Sequence, residues 1–502
     1  MWPALVRILS TVALLGVLSF ASLTNAADKR PNIVFFLVDE MGWQDTSLPF
    51  HTEATALNGK YQTPNMEKLA EQGTKFTQAY ACAICSPTRI SWMTGQNAAR
   101  HRVTCWTLRK DASPSGKHPK LSEPAWNLNG LSPAPGIDKT VQATTLPMLL
   151  QDAGYHTIHV GKAHFGAAGT PGENPQNVGF DVNIAGHAAG GPGSYWGKKN
   201  FSAKWRNGSP IWDVPGLDKY HGQDIFLTEA LTLEANQEID KAVASEKPFF
   251  LYMAHYAVHA PWEKDDRYYE KYNEAGLPGI GQTLASMLEG MDKSLGDIQA
   301  NLKRHGIEDN TIIIFMSDNG APKNVPRNLP LRGHKITPYE GGTRVPMIVK
   351  WPGVTQPNST SSGYVIIEDL FPTFLEMAGT SDRPSSDGIS IVPQLRDPQL
   401  SHHDRPIYWH YPNTYDQPPY SSIRLGDWKL IYHHASQTSE LFNLQDDLSE
   451  KHNLAQENTV KAKELAGKLG DYLRSVNAQM PIVKSTGHPV PWPDQAESVA
   501  AK

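Results

Sequence analysis

A chain of 502 residues with a formal charge of -5 exceeds what one ordinary hydrophobic core fills, so a large domain with a smaller companion is expected. The slightly acidic balance offers no basic footprint for a nucleic acid. Three cysteines, Cys82, Cys85 and Cys105, are too few for a disulfide framework; Cys82 and Cys105 can stand as thiols or pair in an oxidising compartment.

The N-terminus carries Arg7, an apolar run over residues 8–20 and the small-residue sequence Thr24-Asn25-Ala26, the pattern of a signal peptide cut after Ala26. The run is broken by Ser10 and Thr11 and is shorter than the about 20 residues of a membrane-spanning helix. No later stretch is long and apolar enough to cross a bilayer, so the mature chain is expected to be secreted or periplasmic, without a stable membrane anchor.

Residues 32–38 form a continuous apolar run, as in a strand covered on both faces of a parallel sheet, and it ends in Asp39-Glu40-Met41-Gly42. Adjacent carboxylates at such a strand end repel unless a cation neutralises them, and strand ends are where α/β sheets bind ligands. Thr63 and Pro64 open a helix, as N-cap and first residue, that closes near Gly73. In Ile84-Cys85-Ser86-Pro87-Thr88-Arg89, Pro87 suits a first helical turn, which sets Cys85 just ahead of a helix N-terminus, where free N–H groups attract an anion. Arg89 adds a permanent charge with several donors.

Residues 100–135, rich in Pro, Ser and Gly and without a period, read as a surface insertion beside that loop. A helix over 145–153 and a strand over 155–160 lead to Gly161-Lys162-Ala163-His164-Phe165-Gly166, where a Lys and a His two apart can face one pocket. Residues 166–222 again lack a period and read as surface; Asn200, Asn207 and Asn358 begin glycosylation sequons. A helix over 226–244 and a strand over 248–254 precede His255 and the triplet His259-Ala260-Pro261. Apolar residues at helical spacing from Leu284 to Leu302 predict an amphipathic helix over 282–305.

A buried strand over 311–316 ends in Ser317-Asp318-Asn319-Gly320, whose carboxylate and amide suit a hard cation such as calcium or magnesium. Lys335 follows, then Glu340-Gly341-Gly342-Thr343-Arg344, read as a structural turn into a strand that ends near Trp351. After a linker, a helix covers 369–379. From 406 onward, short strands over 423–425, 428–432 and 440–444 come before a helix over 460–477 and a loose tail. Trp409, His410 and Tyr411 stand where this part can lean over the pocket.

The run Cys85-x-Pro87-Thr88-Arg89-x-x-x-Met93-Thr94-Gly95 resembles the signature of the formylglycine-dependent, type I sulfatases of the alkaline phosphatase superfamily, with Thr88 and Met93 where Ser and Leu are usual. Four further motifs agree with that family in their order: Asp39-Glu40 for D-D-x-G, Gly161 to Gly166 for G-K-x-H-x-G, His259-Ala260-Pro261 for H-x-P, and S-D-N-G. Glu40 stands where a second Asp is usual, and Ala163 where Trp is usual.

The resemblance, to exported bacterial arylsulfatases and carbohydrate sulfatases in particular, implies an α/β fold. Its large domain would be alkaline-phosphatase-like, a central mixed, mostly parallel sheet flanked by helices, with a smaller C-terminal domain of an antiparallel sheet and a helix. The implied division is a signal peptide over 1–26, a catalytic domain over 27–395 and a C-terminal subdomain over 396–502. A maturation enzyme would oxidise Cys85 to formylglycine (3-oxoalanine), whose hydrate attacks sulfur. Asp39, Glu40, Asp318, Asn319 and position 85 would bind one Ca2+. Lys162 and Lys335 would bind sulfate, Arg89 would orient the nucleophile, His259 would serve the leaving oxygen and His164 the release of sulfate.

The expected reaction is hydrolysis of sulfate esters. The Trp-bearing insertions, with His101, Arg102 and His410 for further sulfates, point to a sulfated sugar or polysaccharide. Phosphoester or phosphonate hydrolysis, and non-catalytic binding of sulfated glycans with Cys85 still a thiol, are the alternatives.

Overall fold

The computed structural model describes residues 30–277, 279–323, 327–380 and 384–496. The expected signal peptide over 1–26 and the last residues, 497–502, lie outside the described residues. Among those described, no helix is long and apolar enough to cross a membrane.

One sheet takes β1 (Asn32–Val38), β2 (Thr74–Tyr80), β3 (His156–Gly161), β4 (Val182–Ile184), β5 (Phe249–Ala254), β6 (Thr311–Ser317) and β7 (Arg344–Lys350). Their order across the sheet is β2-β7-β6-β1-β5-β3-β4, and short segments at Ser359–Ser361 and Val365–Ile366 pair with β2. β7 runs against both its neighbours, while the other pairs are parallel.

All of β1, β5 and β6 is buried, which is why these strands read as unbroken apolar runs rather than alternating ones. Side chains still alternate between faces. Ile33, Phe35 and Leu37 pack with α2 (Cys85–Thr94), α3 (Leu146–Asp152) and α6 (Leu370–Met377). Val34, Phe36 and Val38 pack with α1 (Pro64–Glu71), α4 (Leu227–Ala244) and α5 (Gly281–Arg304).

The strand order decides where chemistry can occur. The parallel neighbours β6, β1, β5 and β3 end along one edge, and the chain leaves them into Asp318, Asp39, the His259 loop and Lys162 respectively. Gly161 makes the last exit possible: it has φ +104°, and a Cβ there would lie 1.9 Å from the Ala254 carbonyl oxygen.

A second, antiparallel sheet of β8 (Ile407–Tyr411), β9 (Tyr420–Leu425), β10 (Trp428–His433) and β11 (Thr438–Asn443) lies beneath α7 (Thr459–Ser475). Leu465, Leu469 and Leu473 of α7 join Ile423 and Leu430 in its core. The seam with the large sheet mixes apolar and charged contacts: Trp409, Tyr420 and Phe442 join the core of the large sheet, and buried Lys429 reaches Glu340 at 2.8 Å and Glu450 at 3.0 Å.

Several expectations are corrected here. The stretches 100–135 and 166–222 are surface only in part: residues 109–112, 134–136 and 204–207 are exposed, but Val103, Cys105, Trp126 and Leu131 of the first and Ala189, Tyr195 and Phe201 of the second are buried. Their apolar residues follow no period because tertiary packing, not a regular element, buries them. Thr63 precedes α1 but its hydroxyl bonds Thr46 and Ser47 instead of capping. Asp292 of α5 takes over, accepting from the N–H groups of Asn65 (3.0 Å) and Met66 (2.8 Å). Cys85 is the first residue of its helix rather than the one ahead of it.

Candidate active site

The expected residues meet at the shared edge of β6, β1, β5 and β3. α2 is buried along its whole length and points its first residue, Cys85, at the ends of β1 and β6. Thr88 Oγ1 donates to the Asp318 carbonyl at 2.7 Å, fixing the helix against that strand end. The fully buried Arg89 forks onto Asp318 Oδ2, with Nε at 3.1 Å and Nη2 at 2.8 Å, while its Nη1 reaches the Lys162 carbonyl and Tyr252 Oη. Arg89 thus ties α2, β6, β5 and the β3 exit into one frame.

Around the thiol, Asp39 Oδ1 lies 3.7 Å from Cys85 Sγ, and Lys162 Nζ donates to Asp39 Oδ2 at 2.5 Å. Lys335 Nζ sits 3.2 Å from Sγ and also bonds Glu40 Oε1. His259 Nε2 lies 3.2 Å from the same Glu40 oxygen, and its Nδ1 donates to the Ala260 carbonyl at 2.7 Å. His164 Nε2 donates to the Thr107 carbonyl at 2.8 Å, leaving Nδ1 buried and without a partner. A side chain at position 190 would strike this ring, for a Cβ on Gly190 would come within 2.5 Å of it.

Burial alone would push the Asp39 and Glu40 carboxyls up, but nearby cations win. Lys162 and His259 hold Asp39 below its ordinary value, and His259 and Lys335 do the same for Glu40. Asp318 goes the other way: burial, then repulsion from Asp39, raises it against the pull of Arg89. The Cys85 thiol is pushed up to about 11 by burial despite Lys162 and Lys335, so it is no thiolate nucleophile at neutral pH. His164 is driven well below its ordinary value by burial and then by Lys162 and Arg89.

Asp39, Glu40 and Cys85 each bring a ligand atom within 4.8 Å of the others. The buried Asn319 Oδ1 has no partner, as its amide nitrogen donates to the Gly320 carbonyl. Repelling carboxylates and an orphaned amide oxygen suit a hard divalent cation.

Other sequence candidates lie elsewhere. His255 is buried on the α5 side and bonds Ser294 Oγ at 2.9 Å. His410 is enclosed between Ser421 and the Gln479 carbonyl, and His101 between Ser91 Oγ and the Val103 N–H. Arg102 is turned to the Asn477 carbonyl. None of these four lines the pocket over Cys85. Arg344 is structural, as expected, bonding the Thr77 carbonyl and Glu340. All three cysteines are free.

The pocket over Cys85 has a volume of about 320 Å³. Its outer wall comes from residues the sequence reading did not single out for the site, among them Trp106, Trp212, Lys323, Tyr415 and Asp416. They lie outside the strands and α-helices, Trp212 closing a short 3-10 turn, and only the aromatic ones carried a signal in the sequence.

Lys162, Lys335 and Arg89, gathered with Asp39, Glu40 and Asp318 round a helix-borne side chain at an α/β sheet edge, offer preorganised positive charge to an inorganic oxyanion. The Sulfatase family model matches residues 31–380, and that of the N-sulphoglucosamine sulphohydrolase C-terminal region matches 334–479. The chain belongs to the sulfatase family and is a sulfuric ester hydrolase with the alkaline-phosphatase-like architecture.

A sulfatase of Formosa agariphila is 30% identical over 96% of this chain and 97% of its own length. The N-acetylgalactosamine-6-sulfatase of Canis lupus familiaris is 31% identical, covering 84% of this chain and 75% of that protein. The solved Ps i-CgsB in complex with k-i-k-neocarrahexaose superposes with a TM-score of 0.72 at 27% identity, over 94% of this chain and 95% of its own.

Proposed function

We propose that the protein removes an O-sulfate group from a sulfated sugar, using formylglycine made from Cys85 and one Ca2+ held by Asp39, Glu40, Asp318, Asn319 and position 85. The observation that carries this reading is the floor of the pocket, where Lys335 Nζ is 3.2 Å from Cys85 Sγ and Lys162 is held on Asp39, which itself faces the thiol. When present, the oxidised, hydrated side chain supplies a nucleophilic oxygen and the cation supplies positive charge beside the sulfate.

The chain's own groups do the rest. Lys162 and Lys335 bind the sulfate oxygens and offset the charge that grows on them. Arg89 orients the floor through Asp318. His164 carries its proton on Nε2, where the Thr107 carbonyl accepts it, so the neutral ring presents Nδ1 as a base for a hydroxyl at position 85. His259 keeps one N–H on the Ala260 carbonyl and turns Nε2 to the pocket, where a proton held against Glu40 can pass to the departing alcohol oxygen.

Two relatives support the sugar: one is an N-acetylgalactosamine-6-sulfatase and another was solved with k-i-k-neocarrahexaose. Export through residues 1–26, and a catalytic domain over 27–395 completed by 396–502, belong to the same reading. The test is mass spectrometry of the peptide spanning Cys85 from a host with the maturation enzyme, with turnover of the sulfate and phosphate esters of one phenol. An aldehyde at position 85, preference for the sulfate ester and loss of turnover in Cys85→Ala are expected. An unmodified thiol in fully active protein overturns the formylglycine assignment, and preference for phosphate overturns the substrate.

A further inference from the structure

The outer half of the Cys85 pocket has no part in the chemistry above, yet it is built. Lys323 lies two residues beyond Ala321, whose carbonyl holds the Lys335 N–H at 2.9 Å, so it stands close behind the sulfate floor. Across the pocket mouth its ammonium meets Asp416 Oδ1 at 3.1 Å. Asp416 comes from the loop between β8 and β9, so this pair joins the two sheets' segments over one cavity.

That loop is fixed in place. Tyr411 Oη donates to the Tyr415 carbonyl at 2.6 Å, Thr104 Oγ1 to Asn413 at 2.6 Å, and Thr414 Oγ1 to the Gly116 carbonyl at 2.7 Å. Asp416 itself is held at φ +57°, a conformation non-glycine residues adopt seldom and mostly where the surroundings impose it.

We infer that this outer half reads the sugar: Asp416 and Lys323 take two neighbouring hydroxyls of a hexopyranose, and Trp106, Trp212 and Tyr415 take its apolar ring faces. The inference deepens the proposed function and rests on it.

The donor inventory supports it. A carboxylate in one hydrogen bond keeps free lone pairs, and an ammonium in one keeps two donors. With side-chain exposures of 56% for Lys323 and 33% for Asp416, both remain open to a ligand. An acceptor beside a donor is the complement of a vicinal diol, in which one hydroxyl donates and its neighbour accepts. The aromatic groups complete the ring-binding surface: Trp106 meets Tyr415 edge to face at 5.5 Å, and Trp212 enters from a different segment.

Charge sets the class more closely. The Lys323–Asp416 pair is neutral as a unit, so surplus positive charge stays on the floor with Lys162 and Lys335. A second sulfate or a carboxylate on the ring would have to compete with Asp416 for Lys323, whose charge that carboxylate already answers. The sugar read here is therefore neutral apart from the sulfate under attack. A cavity of about 320 Å³ is at the small end for ligand pockets, enough for one ring.

The test compares kcat/KM on two probes in matured enzyme: the best of the galactose 2-, 3-, 4- and 6-sulfates, and 4-nitrophenyl sulfate, which has no hydroxyls to read. In Asp416→Asn, Asp416→Ala and Lys323→Met the sugar-to-aryl ratio should fall ~10- to 100-fold, mainly through KM, as loss of hydrogen bonds to charged groups predicts. An unchanged ratio overturns the inference, as does wild-type preference for a disulfated galactose over the monosulfate. Release of sulfate from neither probe by the wild type overturns the proposed function and this inference with it.

Discussion

Glu368 gives the fold a pH dependence that can be measured apart from catalysis. It lies in the turn leading into α6 and is 2% exposed. Its Oε1 accepts from Asn97 Nδ2 at 2.5 Å, and Oε2 has no partner. Burial, opposed by the Asn97 bond and reinforced by Asp369 and Asp387, raises its pKa from 4.5 to about 8. Arg405 and Arg100 are engaged by Asp369 and Asp387, and neither makes an ion pair with Glu368 among the described residues.

The folded chain thus keeps a proton that the unfolded chain releases. The contribution of Glu368 to stability is fullest below about pH 4.5 and falls as pH rises towards 8, because the folded state holds this proton throughout that window. About 3.5 units at ~1.4 kcal/mol each set a ceiling of ~5 kcal/mol. For a chain of this length the unfolding entropy is roughly 1 kcal/mol per kelvin, so the ceiling is about 5 °C in Tm. Glu368→Gln keeps the acceptor for Asn97 and removes the titration. Calorimetry at one scan rate should find the two proteins alike near pH 5 and the variant ahead by up to about 5 °C near pH 8.5. Parallel Tm profiles across that range would refute a buried, proton-holding carboxyl.

His259→Ala should cost ~10²- to 10⁴-fold in kcat on a sugar sulfate, whose alcohol leaves poorly without a proton, and far less on 4-nitrophenyl sulfate; equal losses on both would remove His259 as the acid. Arg89→Met strips the partner from buried Asp318 and leaves the Lys162 carbonyl and Tyr252 unanswered, so denaturant unfolding should register a loss of about 3–5 kcal/mol. A loss below about 1 kcal/mol would mean that Arg89 does not hold the frame.

What the sequence disclosed, and what it hid, follows from how each residue is held. Asp39, Lys162 and Asp318 leave the carboxyl ends of strands whose apolar runs are unmistakable, and Cys85 begins a helix, so their convergence needed only a parallel sheet. The bounds of those elements shift by a residue or two, as with α4 at Leu227–Ala244 against the expected 226–244. Lys323, Tyr415 and Asp416 were invisible because loops packed by distant partners carry no period, and Trp106 and Trp212 showed only as the aromatic content of their stretches. His101, His255 and His410 looked available in the sequence, yet each is closed off by a partner from elsewhere in the chain or by the fold around it.

The C-terminal sheet is therefore more than a companion to the large one. Glu450 accepts from the Glu340 N–H at 2.7 Å and shares Lys429 with the Glu340 carboxylate. Glu340 in turn begins the turn whose Gly341 N–H bonds the Arg332 carbonyl, closing a loop that contains Lys335. Arg332 also donates to the Glu450 carbonyl. The segment that sets Lys335 beside Cys85 is thus braced at both ends by Glu450, from the stretch between β11 and α7, and the loop between β8 and β9 supplies the Tyr415 and Asp416 side of the pocket. Lys429 is wholly buried between two carboxylates, an arrangement that is costly to break by removing one member. The large sheet's edge brings the acidic and cationic groups together and holds the Lys335 segment through the Ala321 and Ala83 carbonyls, while groups from the C-terminal part brace that segment at Arg332 and Glu340.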